Sequence, residues 1–127
     1  MSYSKNGSKW DTSYKDTGWG QSPKMAFKYK GKLYGMLGDV TNVGNTHPKV
    51  IESTDGQKWS KPKFISKEKS KMLKKCCVVD DKIIAVGDYG RKSVGSDPYS
   101  WQDAKDTKAT ETLIDIAYGN GVFVGTG

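Results

Sequence analysis

The stretch Ser53-Thr54-Asp55-Gly56-Gln57-Lys58-Trp59 decides how the chain is read, because it occurs three times. Its first copy is Ser4-Lys5-Asn6-Gly7-Ser8-Lys9-Trp10, and a more divergent copy is Gly95-Ser96-Asp97-Pro98-Tyr99-Ser100-Trp101. Each sets Asp or Asn, then Gly or Pro, then two residues, then Trp. Asp-Gly and Asn-Gly are strong hairpin signals, since both residues tolerate the positive φ of a tight primed turn. A Trp three residues further on can fold back over the turn and bury a large apolar face. Trp10, Trp59 and Trp101, together with Asp55 and Gly56, are therefore expected to be structural residues.

Working outward from the middle copy, Pro23–Tyr29 and Lys32–Leu37 read as strands joined at Lys30-Gly31. After a polar loop, Lys49–Ser53 is a third strand and Lys58-Trp59-Ser60 a short fourth. Residues 72–104 repeat that order: Leu73–Val79, a turn at Asp80-Asp81, Lys82–Val86, Lys92–Ser96, a turn at Asp97-Pro98, then Ser100–Gln102. A third unit opens with Leu113–Tyr118, turns at Gly119-Asn120-Gly121 and runs through Val122–Gly125. Its outer strands lie at the other end, where Ser2–Lys5 turns at Asn6-Gly7 into Lys9–Asp11. Four strands in roughly 42 residues is the size of a β-propeller blade. The expected fold is all-β, with blades at 113–127 plus 1–12, at 22–61 and at 72–104.

On these motifs the sequence resembles the Asp-box repeats of sialidase-like propellers, differing in having no residue between Asp55 and Gly56. It is also similar to repeats of bacteriophage tail and minor structural proteins, where Tyr-Gly-Asn-Gly-Val-Phe-Val, here Tyr118–Val124, and a Ser-x-Asp-Gly-x-x-Trp turn recur. Propeller rings have roughly four to eight blades, so three do not close one. Two chains meeting head to tail would complete a six-bladed ring, with the split blade restored by strand pairing between copies. A piece of a longer propeller is the alternative.

The chain of 127 residues carries a net charge of +7, with 15 glycines and 35% hydrophobic residues. That composition suits thin strands and many turns, and the charge favours anionic partners. Arg91 is the only arginine, and base readout and bidentate phosphate clamps lean on arginine. Cys76 and Cys77 are adjacent, so a strand would point them to opposite faces and leave two free thiols of the kind kept in a reducing cytosol. There is no apolar leader at Met1–Lys5 and no stretch of membrane-spanning length, giving an expectation of no membrane insertion and of host cytoplasm or virion.

Catalytic constellations are thin. Sialidase chemistry needs an arginine triad that one arginine does not supply, and His47 is the only histidine. Asp80-Asp81 falls in a hairpin turn. The expectation is a non-enzymatic binding protein with no metal and no cofactor. Candidate ligand-binding residues are Tyr14 and Trp19 in the linker after the first Trp, and Asn42, Asn45 and His47 in the long Asp39–Pro48 loop. Exposed aromatics and long loops on a rigid scaffold are where contacts are made. Equally, Trp19 packs beneath the blade edge and His47 is an ordinary loop residue. The run Lys61, Lys63, Lys67, Lys69 and Lys71 is either an anion-binding stripe or a solvated linker. The resemblance to tail repeats implies a glycan or cell-surface ligand. The rival readings are an intracellular phage protein that blocks a host or defence protein, and a nucleic-acid-binding module.

Overall fold

The computed structural model describes residues 1–12, 23–37, 48–65, 73–104 and 110–127. Among these residues, apart from a single 3-10 turn at Asp88–Gly90, every regular element is a strand. In chain order these are β1 (Ser2–Tyr3), β2 (Asp11–Thr12), β3 (Pro23–Tyr29), β4 (Lys32–Leu37), β5 (Lys49–Ser53), β6 (Lys63–Phe64), β7 (Leu73–Val79), β8 (Lys82–Gly87), β9 (Lys92–Asp97), β10 (Ser100–Asp103), β11 (Asp115–Gly119) and β12 (Val122–Thr126). All pairing is antiparallel. Two four-stranded meanders, β3-β4-β5-β6 and β7-β8-β9-β10, stand beside two separate hairpins, β1-β2 and β11-β12. Among the described residues no helix is long and apolar enough to cross a membrane.

Three hairpins turn at the expected dipeptides. Lys30 and Gly31 have φ of 44° and 83°, Asp80 and Asp81 of 49° and 60°, Asn120 and Gly121 of 51° and 76°. Two successive positive φ values are what a primed two-residue turn requires, and pairing runs right up to each one.

The Trp-bearing turns are built otherwise. Only their glycines take positive φ, 78° at Gly7 and 76° at Gly56, while Asn6 and Asp55 do not. The side chains hold the loop instead. The Ser53 hydroxyl accepts from the Gly56 amide at 2.9 Å, and the Asp55 carboxylate accepts from the amides of Gln57 and Lys58 at 2.8 and 2.9 Å. Ser4 and Asn6 repeat this toward Gly7, Ser8 and Lys9 at 2.8, 2.9 and 3.0 Å. Each indole N–H then closes on the carbonyl three residues back: Trp10 on Gly7, Trp59 on Gly56 and Trp101 on Pro98, at 2.9, 3.2 and 2.8 Å.

The fourth strand of the β3–β6 sheet starts late. Lys58-Trp59-Ser60, the place expected from the sequence, is not a strand, and the Lys58 amide is given to Asp55 instead. One bond, from the Ser60 amide to the Glu52 carbonyl at 2.9 Å, continues the ladder. The strand itself comes after Pro62, as β6, opposite Lys49 and Val50.

Alternation sorts the side chains. On β3, Met25, Phe27 and Tyr29 are buried while Lys24, Ala26 and Lys28 are exposed. Those three join Tyr34, Met36, Val50, Leu73, Ile83 and Ala85 in the larger core. The sheet that begins with β7 has a second buried face: Ile84 and Val86 pack with Leu113 and Ile116 under the β11–β12 hairpin. The adjacent cysteines obey the same rule. Cys76 packs into the first core and Cys77 into the second, and both thiols are free. Burial pushes the Cys76 thiol up to about 12 and raises that of Cys77 as well, so neither is a reactive thiolate. The three units thus stack with β3 beside β7 and β7 beside β11, an open row of sheets.

Gly56 is a sensitive point, because its φ is positive and an added Cβ would sit 3.3 Å from the Leu33 side chain. Gly56→Ala is expected to lose about 1–2 kcal/mol. Gly119→Ala, with open space around it, should change stability by less than about 0.5 kcal/mol. Urea midpoints compare the two, and equal losses would remove the special role of the Gly56 turn.

Candidate functional site

Of the residues singled out in the sequence, Tyr14, Trp19, Asn42, Asn45 and His47 lie outside the described residues, as do Lys67, Lys69 and Lys71. The remaining lysines of that run are placed. Lys61 is exposed, and Lys63 on β6 holds its ammonium 5.5 Å above the Tyr99 ring. The lone arginine is engaged: Arg91 bridges Asp103 at 3.1 Å, and Ser93 donates to the same carboxylate at 2.8 Å, tying β9 to β10. Among the described residues, no group of three or more His, Cys, Asp or Glu is arranged to hold a metal ion.

The structure draws attention to a different place. An open groove of about 510 Å³ runs along β9 and β10 and reaches Ile65 beyond β6. Its lining pairs two aromatic rings, Tyr99 and Trp101, with the polar side chains of Ser96, Ser100 and Gln102. The volume lies within the usual range for small-ligand sites.

Both rings are fixed before any ligand arrives. Trp101 has its N–H satisfied by the Pro98 carbonyl and packs against the larger core. Its indole also explains Gly95, where an added Cβ would meet Trp101 Cδ2 at 3.3 Å. Tyr99 is held from three sides. Its amide donates to Asp97 at 2.7 Å, its ring meets Tyr34 edge-on at 6.1 Å, and its hydroxyl donates a short hydrogen bond to Glu52 on β5. Glu52 is approached by Lys32 at 3.4 Å. Close by, the Tyr29 hydroxyl donates to the Ser96 carbonyl at 2.9 Å, a second polar tie between the two meanders. The Ser100 hydroxyl is oriented by Asp97 at 3.0 Å.

The charges follow from this wiring. The Tyr99 hydrogen bond, aided by Lys32, holds the Glu52 carboxyl below its ordinary 4.5, against the opposing effect of burial. Burial first, then the bond to Glu52 and its negative charge, raise the Tyr99 phenol above its ordinary 10.0. Burial and Glu52 also raise Tyr34. Between those limits the pair is an ionised carboxylate accepting from a neutral phenol.

A second groove, about 330 Å³, lies on the N-terminal hairpin against Tyr3, Lys5, Lys9 and Asp11. Aligning the Trp turns puts these residues at the places of Val94, Ser96, Ser100 and Gln102. The same niche thus recurs beside two turns, one lined by hydroxyl and amide groups and the other by charges. Tyr99 was inside a recognised motif without being read as a site residue. The available signal was its position, since the matching residues Ser8 and Gln57 are not aromatic.

Comparison of the chain with family models, with curated proteins and with solved structures gave no match in any of the three.

A two-sided pH dependence is expected from Glu52 and Tyr99. A carboxylate whose folded value is depressed adds stability above its unfolded value, and that stability is lost as pH falls through the folded one. A phenol whose folded value is raised adds stability below 10.0 that is lost as pH rises through the folded value. Tyr99→Phe should cost about 1–2 kcal/mol near pH 7 and flatten both limbs. Part of the acid limb will remain, because backbone hydrogen bonds from Lys58 and Gln57 also depress Asp55. Melting temperatures from pH 3 to 11 test this, and limbs unchanged in Tyr99→Phe would refute the assignment.

Proposed function

We propose that the chain is a non-enzymatic binding protein on a propeller scaffold and that its ligand is a glycan held in the Tyr99–Trp101 groove. The three stacked units are read as blades, and two chains close a six-bladed ring that presents the groove twice. The supporting observation is the groove itself, two immobilised aromatic rings flanked by Ser96, Ser100 and Gln102. A sugar has apolar C–H faces and a rim of hydroxyls. Rigid rings receive the faces with no further loss of rotamer freedom, and short hydroxyl and amide side chains exchange hydrogen bonds with the rim. Two copies on one particle add avidity toward a repetitive polymer without any new contact. The resemblance to phage tail repeats supports the same ligand class.

Binding of soluble oligosaccharides and bacterial wall polymers, followed by tryptophan fluorescence and by amide shifts along β9 and β10, is the direct test. Gln102 is exposed and outside the core, so Gln102→Ala should weaken binding roughly 10-fold, about 1.4 kcal/mol, with the melting temperature unchanged. A panel that moves none of these signals overturns the glycan reading. So does a polymer that binds Gln102→Ala as tightly as the parent.

A further inference from the structure

Among the described residues, the edge of β12 is apolar and uncovered. Val122, Phe123 and Val124 are 56%, 41% and 54% exposed on one short strand. Among the described residues, β12 pairs with β11 and nothing else. In both complete sheets the corresponding strand has neighbours on two sides, β4 between β3 and β5, and β8 between β7 and β9. An uncovered apolar edge with free amides and carbonyls is a template for another strand.

The β1–β2 hairpin has the complementary deficiency. It reproduces the middle Trp turn bond for bond, from the Ser4 and Asn6 caps to the Trp10 indole. Yet among the described residues β1 pairs only with β2, whereas β5 and β9, which occupy the same place before their turns, pair with β4 and β8 as well. Two gaps mark what is missing. Leu33 packs 3.3 Å from where a Gly56 Cβ would lie, but nothing comes within 4 Å of the equivalent point on Gly7. Trp10 is 60% exposed, while Trp59 and Trp101 are half-buried.

Each hairpin therefore lacks what the other presents, and within one chain they belong to separate sheets. We propose that the occupant of the β12 edge is the β1 edge of a second copy of this chain, giving a four-stranded sheet β11-β12-β1-β2 with two strands from each copy. A two-fold arrangement forms this sheet twice and leaves neither edge open. The inference rests on the ring closure proposed above and adds which strands meet and how they are aligned.

The register follows from the complete sheets. β4 aligns Leu33 with Ser53 and Tyr34 with Glu52, and β8 aligns Ile83 with Gly95 and Ile84 with Val94. Gly31, Asp81 and Gly121 are the second turn residues, so Leu33, Ile83 and Phe123 are equivalent, two places later. Ser53, Gly95 and Ser4 open the three Trp turns and are equivalent too. Both templates give one answer: Phe123 lies opposite Ser4 of the second copy, and Val124 opposite its Tyr3. Phe123 then fills the empty space at Gly7 as Leu33 does at Gly56.

Paired cysteines test the alignment, with single-cysteine variants as controls for the native Cys76 and Cys77. Successive antiparallel pairs alternate between wide and narrow spacing, so one of Ser4→Cys/Phe123→Cys and Tyr3→Cys/Val124→Cys has the narrow geometry a disulfide favours. We expect light scattering to give a mass near twice 14.0 kDa and one of the two double variants to form a covalent dimer on mild oxidation. Phe123→Asp should weaken dimerisation at least 100-fold while circular dichroism keeps its strand signature. A 14.0 kDa monomer overturns both the ring closure and this pairing. A dimer that crosslinks in neither variant, or that survives Phe123→Asp unweakened, leaves the closure standing and overturns the pairing.

Discussion

The alternation of side chains along β7 and β8 is the constraint on which the rest depends. One strand pair supplies two cores at once, Cys76, Val78, Ile83 and Ala85 to one side and Cys77, Ile84 and Val86 to the other. A sheet in that position is covered on both faces, so one strand pair buries apolar side chains in both directions. Fully burying one such side chain stabilises by about 1.5–3 kcal/mol, so the two shared clusters carry much of the fold. Slipping β7 by one residue would exchange the two sets and unmake both cores together.

The Trp turns supply the second half of the design. A two-residue primed turn needs only backbone that tolerates positive φ, and it serves the inner hairpins. The outer turns instead spend side chains: a serine hydroxyl, an Asx oxygen and an indole N–H each satisfy backbone groups that a looser loop would leave to water. After the middle copy the chain does not extend a ladder at once, whereas β2 and β10 resume pairing directly. Where the Asx is followed by Pro98 and Tyr99, the same loop sets an aromatic against the neighbouring sheet. A structural device thereby becomes the wall of a groove.

Polar ties between the meanders then set the groove's rigidity. Tyr99 to Glu52 and Tyr29 to the Ser96 carbonyl span 47 and 67 residues of chain. They join the β9–β10 turn to β5, and β3 to β9. Hydrogen bonds of this kind, one of them charge-assisted and partly shielded, fix orientation more than they add stability. For a binding surface that matters, since a ring already immobilised loses no entropy when a ligand covers it.

The turns at Lys30-Gly31 and Asn120-Gly121, the strand Pro23–Tyr29 and the opposed placement of Cys76 and Cys77 were all legible in the sequence. They depend on φ preference and on a two-residue period, which are local properties. The fold-back of the three indoles was legible for the same reason. The late start of β6 was not, because β2 and β10 resume pairing directly after the equivalent turns. Nor was the groove, where Tyr99 gains its setting from Glu52 and Tyr34 on another sheet and Ile65 completes the lining. Sequence periodicity says which residues want a partner strand, but only packing in three dimensions decides which edges within one chain find it.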